Sequence, residues 1–169
     1  MNNRSDNISG FKIIGSTLWS HVSPEKEEEI SKGINDYYLI NKMDKPITVS
    51  DTNRWNEECV KYIDGELKTD EPCIILTHHA PLFNDPATGA LLAHPRYTYS
   101  KYNEAFHNDL RRILKKPVVA WIYGHTHYVS NFKQDGVIVA TNQLGYSYER
   151  TGFNPHGYIN LDKLMIDSL

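Results

Sequence analysis

Val118-Val119-Ala120-Trp121-Ile122-Tyr123-Gly124-His125-Thr126-His127 is the stretch on which the reading of the fold turns. Its five leading apolar residues predict a strand covered on both faces, and the glycine and histidines then stand at the strand's C-terminal tip. A second run of the same form, Cys73-Ile74-Ile75-Leu76, closes on Thr77-His78-His79-Ala80-Pro81. A strand tip is a stiff support, and imidazole is the commonest protein ligand for zinc, iron and copper. Two such tips on neighbouring core strands would lose hydration for nothing if they were buried without a partner. They therefore point to a metal site at the edge of an α/β sheet where sites usually lie. His125 and His127 are two residues apart, so an extended segment would put them on one face, and a turn at Gly124 would splay them toward different ions.

Outward from these strands the chain alternates. Phe11 to Trp19 predicts a strand that runs into a loop at Ser20-His21. Ser23-Pro24-Glu25 opens a short charged helix to about Lys32. Trp55, Cys59, Ile63 and Leu67 recur at helical spacing across 50–67, and Phe106, Leu110, Ile113 and Leu114 predict a third helix ended by Lys115-Lys116-Pro117. The segment 80–102 between core elements has the length of a functional loop. Val129 to Lys133 and Val137 to Thr141 form a hairpin about Gln134-Asp135-Gly136, and Tyr158 to Leu161 with Leu164 to Ile166 predict further strands. The pattern is that of mixed α/β layers in a single domain over residues 1–169.

Composition removes other classes. A net charge of -3 gives no basic patch for nucleic acid. The first residues lack the apolar core of a signal peptide, and no apolar run reaches the roughly 20 residues that span a bilayer. A soluble, cytoplasmic protein with no membrane partner is expected. Cys59 and Cys73 are expected as small buried hydrophobes, with no Cys-x-x-Cys clip. His107 is placed on the polar face of the third helix as a solvated residue, and His21, His94 and His156 as loop histidines. The run Glu25, Glu27, Glu28 and Glu29 reads as a solvated helix face. Ser20 and His21 lack the frame of a nucleophile and its base.

Together, Thr77-His78-His79-Ala80-Pro81 and Gly124-His125-Thr126-His127 resemble the last two of the five motifs of calcineurin-like metallophosphoesterases. Gly15-Ser16-Thr17-Leu18-Trp19-Ser20, Asn35-Asp36-Tyr37, His94-Pro95-Arg96-Tyr97, Asn103-Glu104-Ala105-Phe106 and Asn142-Gln143-Leu144-Gly145-Tyr146 are similar to the intervening blocks of one bacterial-type branch. The resemblance implies the C-terminal half of a layered metallophosphoesterase fold, a β-sandwich flanked by helices. It implies hydrolysis of phosphate mono- or diesters, as a phosphatase or phosphodiesterase, with a divalent pair of Mn, Fe or Zn. His78 and His125 would be ligands of the second metal and His127 of the first, with His79 a neighbour of the site.

In the family, motifs of the form D-x-H, G-D-x-x-D and G-N-H-E precede the strand that begins here at Phe11, and this sequence does not contain them. The bridging aspartate and the histidine that protonates the leaving group belong to those motifs, so no catalytic residue is assigned. Three neutral imidazoles do little against the repulsion of two dications. The expectation is a chain that binds at most one ion, weakly, and is not active by itself. It is then completed by a polypeptide carrying the N-terminal half, or self-associates, or serves as a non-catalytic binding or regulatory remnant. A phosphate-ester substrate is expected only for the completed site. An exposed apolar sheet face would favour the split enzyme and a resealed one the module.

Overall fold

The computed structural model describes residues 2–168, with side chains through Leu164. Its centre is a six-stranded sheet in the order β1-β2-β5-β6-β8-β7, where β1 is Arg4–Ile8, β2 Phe11–Ser16, β5 Cys73–Thr77, β6 Val118–Ile122, β7 Phe132–Gln134 and β8 Val137–Ala140. The inner four strands run parallel, and β1 and β7 pair antiparallel at the edges. A small ribbon, β3 (Asn41–Lys42) with β4 (Lys45–Pro46), stands apart from this sheet. The helices are α1 (Glu27–Gly33), α2 (Asp36–Leu39), α3 (Val49–Glu66) and α4 (Leu161–Ser168). The α/β class expected from the sequence holds, and its sheet layer is this one mixed sheet flanked by helices. No helix among the described residues is long and apolar enough to cross a membrane.

Parallel pairing explains why the two histidine tips meet. Leu76 lies opposite Ile122, so the residues after both strands leave the sheet at the same edge. A register shift between Cys73 and Ile74 absorbs the extra residue of β6 at the far end and leaves this edge aligned. Cys59 and Ile63 of α3 cover one face of the sheet together with Ile14, Ile75, Trp121 and Val139, all buried. On the other face Phe11, Ile74 and Ala120 are buried under Leu164 of α4, while Ile13, Leu76, Ile122 and Ile138 are only partly covered. Both cysteines are buried and free.

Local chemistry sets where α3 begins. Thr48 has extended backbone and accepts from Asp51 N–H at 3.2 Å, while the Asp51 carboxylate accepts from Thr48 N–H at 3.1 Å. This reciprocal box satisfies two backbone donors that the helix start would otherwise leave open. Lys42 and the Thr48 contacts hold the Asp51 carboxyl down at about 2. Thr48→Ala is expected to lower stability by about 1 kcal/mol in urea denaturation, and an unchanged midpoint would show the cap to be idle.

Three elements differ from the sequence reading. The segment around Phe106 to Leu114 is no helix: it holds short 3-10 turns at Asn103–Ala105 and Arg111–Ile113. Its backbone is spent on the loop after β5, through Ala80 N–H to Phe106 O, Asn108 N–H to Ala80 O and Leu110 N–H to Pro81 O, bonds that an α-helix would have closed internally. At the C-terminus 161–168 is helical where strands were expected, and Asn160 Oδ1 accepts from Lys163 N–H at its start. The strand β1 was not foreseen at all, because four of its five residues are polar and all five are exposed. The side chains of Met165 and Ile166, counted in one of the expected strands, lie outside the described residues.

Candidate functional site

The loop after β5 is anchored on both sides before it presents its histidines. Thr17 O accepts from the N–H groups of His78 and His79 at 3.2 Å, and His78 O accepts from Gly124 N–H at 3.0 Å, tying the two tips together. Trp121 Nε1 donates to Thr77 Oγ1 at 2.9 Å, and that hydroxyl donates to His79 O at 2.8 Å. The loop after β6 is shaped differently from either simple expectation. His125 and His127 themselves adopt left-handed backbone, with φ of 69° and 47°, and Gly124 does not. Non-glycine residues in this region are strained, and such strain concentrates at functional sites. Gln143 clamps the turn, its Oε1 accepting from His127 N–H and its Nε2 donating to Thr126 Oγ1, each at 2.8 Å.

The two left-handed residues splay the imidazoles. His125 turns inward and stacks between His79, at 4.2 Å between ring centroids, and Phe106 at 4.6 Å. His78 lies 4.6 Å from it. His78, His79 and His125 each offer a ring nitrogen, and these nitrogens all lie within 4.8 Å of one another. His127 stands outside that group and makes a 2.7 Å contact from Nδ1 to Glu149 Oε2. The structure thus brings His78 and His125 together with His79, which the sequence reading placed as a neighbour of the site, and leaves His127 apart from them. His21, His94 and His156 are exposed, as expected of loop histidines.

Electrostatics keep the cluster neutral. Burial, with the neighbouring imidazoles, pushes His125 down to about 3. Burial takes His79 well below the usual histidine range and also lowers His78, which the Asp36 carboxylate partly offsets. Neutral imidazole is the form that ligates metal. The donor set fits a divalent transition ion on a second count: His125 Nε2 is buried with no hydrogen-bond partner, a cost that a bound ion would remove. Ser20 Oγ lies 2.8 Å from His79 Nδ1, and both groups are buried. When His79 donates through Nδ1, its Nε2 keeps the lone pair that a metal needs. No carboxylate belongs to the cluster among the described residues.

Three residues near the histidines escaped the sequence reading. Glu149 orients His127, and only a contact 22 positions away along the chain reveals it. Ser20 was weighed with His21 as a nucleophile and its base and set aside for want of a frame, yet its hydroxyl faces His79 from a different loop. His107 is buried at 4% exposure, not solvated. Its Nδ1 donates to Asn103 O at 2.9 Å, which leaves Nε2 an acceptor without a partner. The correction follows from the missing helix, since the exposed face assigned to His107 does not exist. Beside the cluster opens a cavity of about 360 Å³, bordered by His125, His127, Asp36, Phe106, Tyr146 and Tyr148.

No protein-family model matches the chain. A curated relative, uncharacterized protein L509 of Acanthamoeba polyphaga mimivirus, is 55% identical over 174 residues, covering all of this chain. The chain spans 62% of that protein's length. Among solved structures, the phosphopantetheinyl hydrolase of Mycobacterium tuberculosis superposes with a TM-score of 0.56 over 93% of this chain and 62% of its own, at 16% identity. That likeness is one of fold alone: a mixed sheet flanked by helices.

Proposed function

We propose that this chain carries the histidine half of a metal-dependent phosphate-ester hydrolase. The observation behind the reading is the convergence of His78, His79 and His125 nitrogens within 4.8 Å at the C-terminal edge of a parallel sheet. His78 and His125 would hold one divalent transition ion, with His79 the third nitrogen in reach, and His127 would be the ligand offered to a second. A bound metal pair supplies Lewis acidity at the phosphoryl oxygens and a water of lowered pKa. The chain's own residues would do the rest of the positioning. Glu149 would accept the Nδ1 proton of His127 and leave Nε2 as its ligating atom. The aromatic cavity would take the organic part of the ester away from water. The negative charge that holds two cations together, and the proton for the leaving group, would come from residues outside these 169, on a longer chain or a second polypeptide.

The test is hydrolysis of bis-p-nitrophenyl phosphate with manganese by chain shown to be monomeric by light scattering. Turnover no faster than that of His125→Ala is expected, because the cluster lacks a carboxylate to bridge two ions. Robust His125-dependent turnover by the monomer would overturn the half-site reading. A second reading, a non-catalytic module, draws on the cover that Leu164 gives Phe11, Ile74 and Ala120 on the second sheet face. A stable monomer at high concentration would favour the module, and association through the partly covered Ile13, Leu76, Ile122 and Ile138 would favour the split enzyme.

A further inference from the structure

We propose that Tyr146 and Tyr148 form a stacking platform for a planar, purine-sized ring carried by the ligand of the histidine site. Their rings are stacked, 5.6 Å between centroids and 21° between planes. They are 58% and 79% exposed, so the stack ends on a bare aromatic face. Large aromatic surface left in water is unfavourable, and a flat ring that continues the stack would cover it. Both tyrosines border the 360 Å³ cavity that also contains His125 and His127, a volume within the roughly 300–1,000 Å³ of small-molecule sites.

The platform is fastened to the histidines. Glu149 Oε2 accepts from Tyr146 N–H at 2.8 Å and from His127 Nδ1 at 2.7 Å, so one carboxylate oxygen fixes both the turn and the imidazole. The edge of Tyr146 meets His127 at 4.8 Å and 78°. Gly145, at φ of +67°, makes the return possible, because a Cβ there would sit 2.5 Å from Thr151 Cγ2 and 2.7 Å from Glu149 Oε2. Asn35, Asp36 and Ser100 also line the cavity and provide polar groups that suit the heteroatoms and amino groups of a heteroaromatic ring better than an alkyl chain. A ring held on Tyr148 is thereby held next to the candidate metal ligands. Identifying the ligand as a phosphate ester rests on the phosphoesterase reading, whereas the stacking itself does not.

The experiment is calorimetric titration of the 169-residue chain with adenosine 5′-monophosphate, ribose 5-phosphate, adenosine and ribose, with and without manganese. Saturation-transfer NMR on the adenine protons would accompany it. The nucleotide is expected to bind about tenfold tighter than ribose 5-phosphate, the scale of one base-on-aromatic stack. Tyr148→Ala should erase that preference and Tyr148→Phe should keep it, with an unchanged thermal melt as the control on folding. Equal binding of the nucleotide and ribose 5-phosphate, or a preference that survives Tyr148→Ala, would overturn the platform while leaving the phosphoesterase reading in place. Adenosine preferred over ribose in a Tyr148-dependent way, with manganese without effect on the nucleotide, would support the platform and sink the phosphoesterase reading.

Discussion

His125→Ala is expected to lower the affinity of the chain for zinc or manganese by more than about 100-fold, since loss of a ligand exceeds the roughly 10- to 100-fold effect of losing an outer partner. His125 is at the centre of the cluster, stacked on His79 and 4.6 Å from His78, and its Nε2 has no other partner. The unaltered chain should take up at most one equivalent, because a three-imidazole group brings no negative charge to a second cation. His79→Ala should weaken binding, and His127→Ala should change it little, because His127 stands apart from the cluster and is held by Glu149. Calorimetry on the four proteins, with circular dichroism to verify folding, reads the outcome. Undiminished binding by His125→Ala would remove the site altogether. Equal losses from His125→Ala and His127→Ala would put both histidines on one ion, against their assignment to two different ions, and tight uptake of two equivalents would contradict the half-site account.

Acid should unfold the metal-free chain early. A histidine held below its unfolded value near 6.5 makes the unfolded state the stronger proton binder in between, so stability is complete above about pH 6.5 and falls as pH drops. With His125 at about 3 in the folded chain, this one group costs about 2 kcal/mol at pH 5, from about 1.4 kcal/mol per pH unit. His79 and His107 are both buried and both lowered, and they add in the same direction. Against a total stability of about 5–15 kcal/mol, the sum is large. Chemical denaturation from pH 7.5 to 4.5 should show a steep decline that saturating zinc opposes, since metal binds the neutral ring. A flat profile would mean that these imidazoles find water or partners that keep them chargeable.

The sequence was most legible where side-chain pattern and backbone demand coincide. β5, β6 and α3 have apolar runs or helical spacing that no other arrangement would bury as well, and the histidines follow directly on the strands. Legibility failed where the decisive partner was distant. The residues 103–114 have helical spacing, but their N–H and C=O groups serve Ala80 and Pro81, some 30 positions earlier, and His107 was misplaced along with them. Splaying of His125 and His127 was within reach of the sequence, yet its cause, left-handed backbone at the histidines, depends on the Gln143 clamp and the Glu149 contact. β1 did leave a local signal: Ser9-Gly10, both at positive φ, is a two-residue hairpin turn that joins Ile8 to Phe11. A polar strand gave no apolar alternation to accompany it.

That same hairpin constrains how copies of this chain can meet. One margin of the sheet is Arg4-Ser5-Asp6-Asn7-Ile8, a ladder of open backbone groups guarded by charged and amide side chains. Charge along a margin strand discourages another chain from adding to the ladder, which is how sheets resist growing into fibrils. Any assembly of this protein at that end must therefore proceed by layering one sheet over another, at a spacing of about 10 Å, and not by extending strands sideways. Crowded or overexpressed chain should then give discrete, soluble particles more readily than thioflavin-positive fibres.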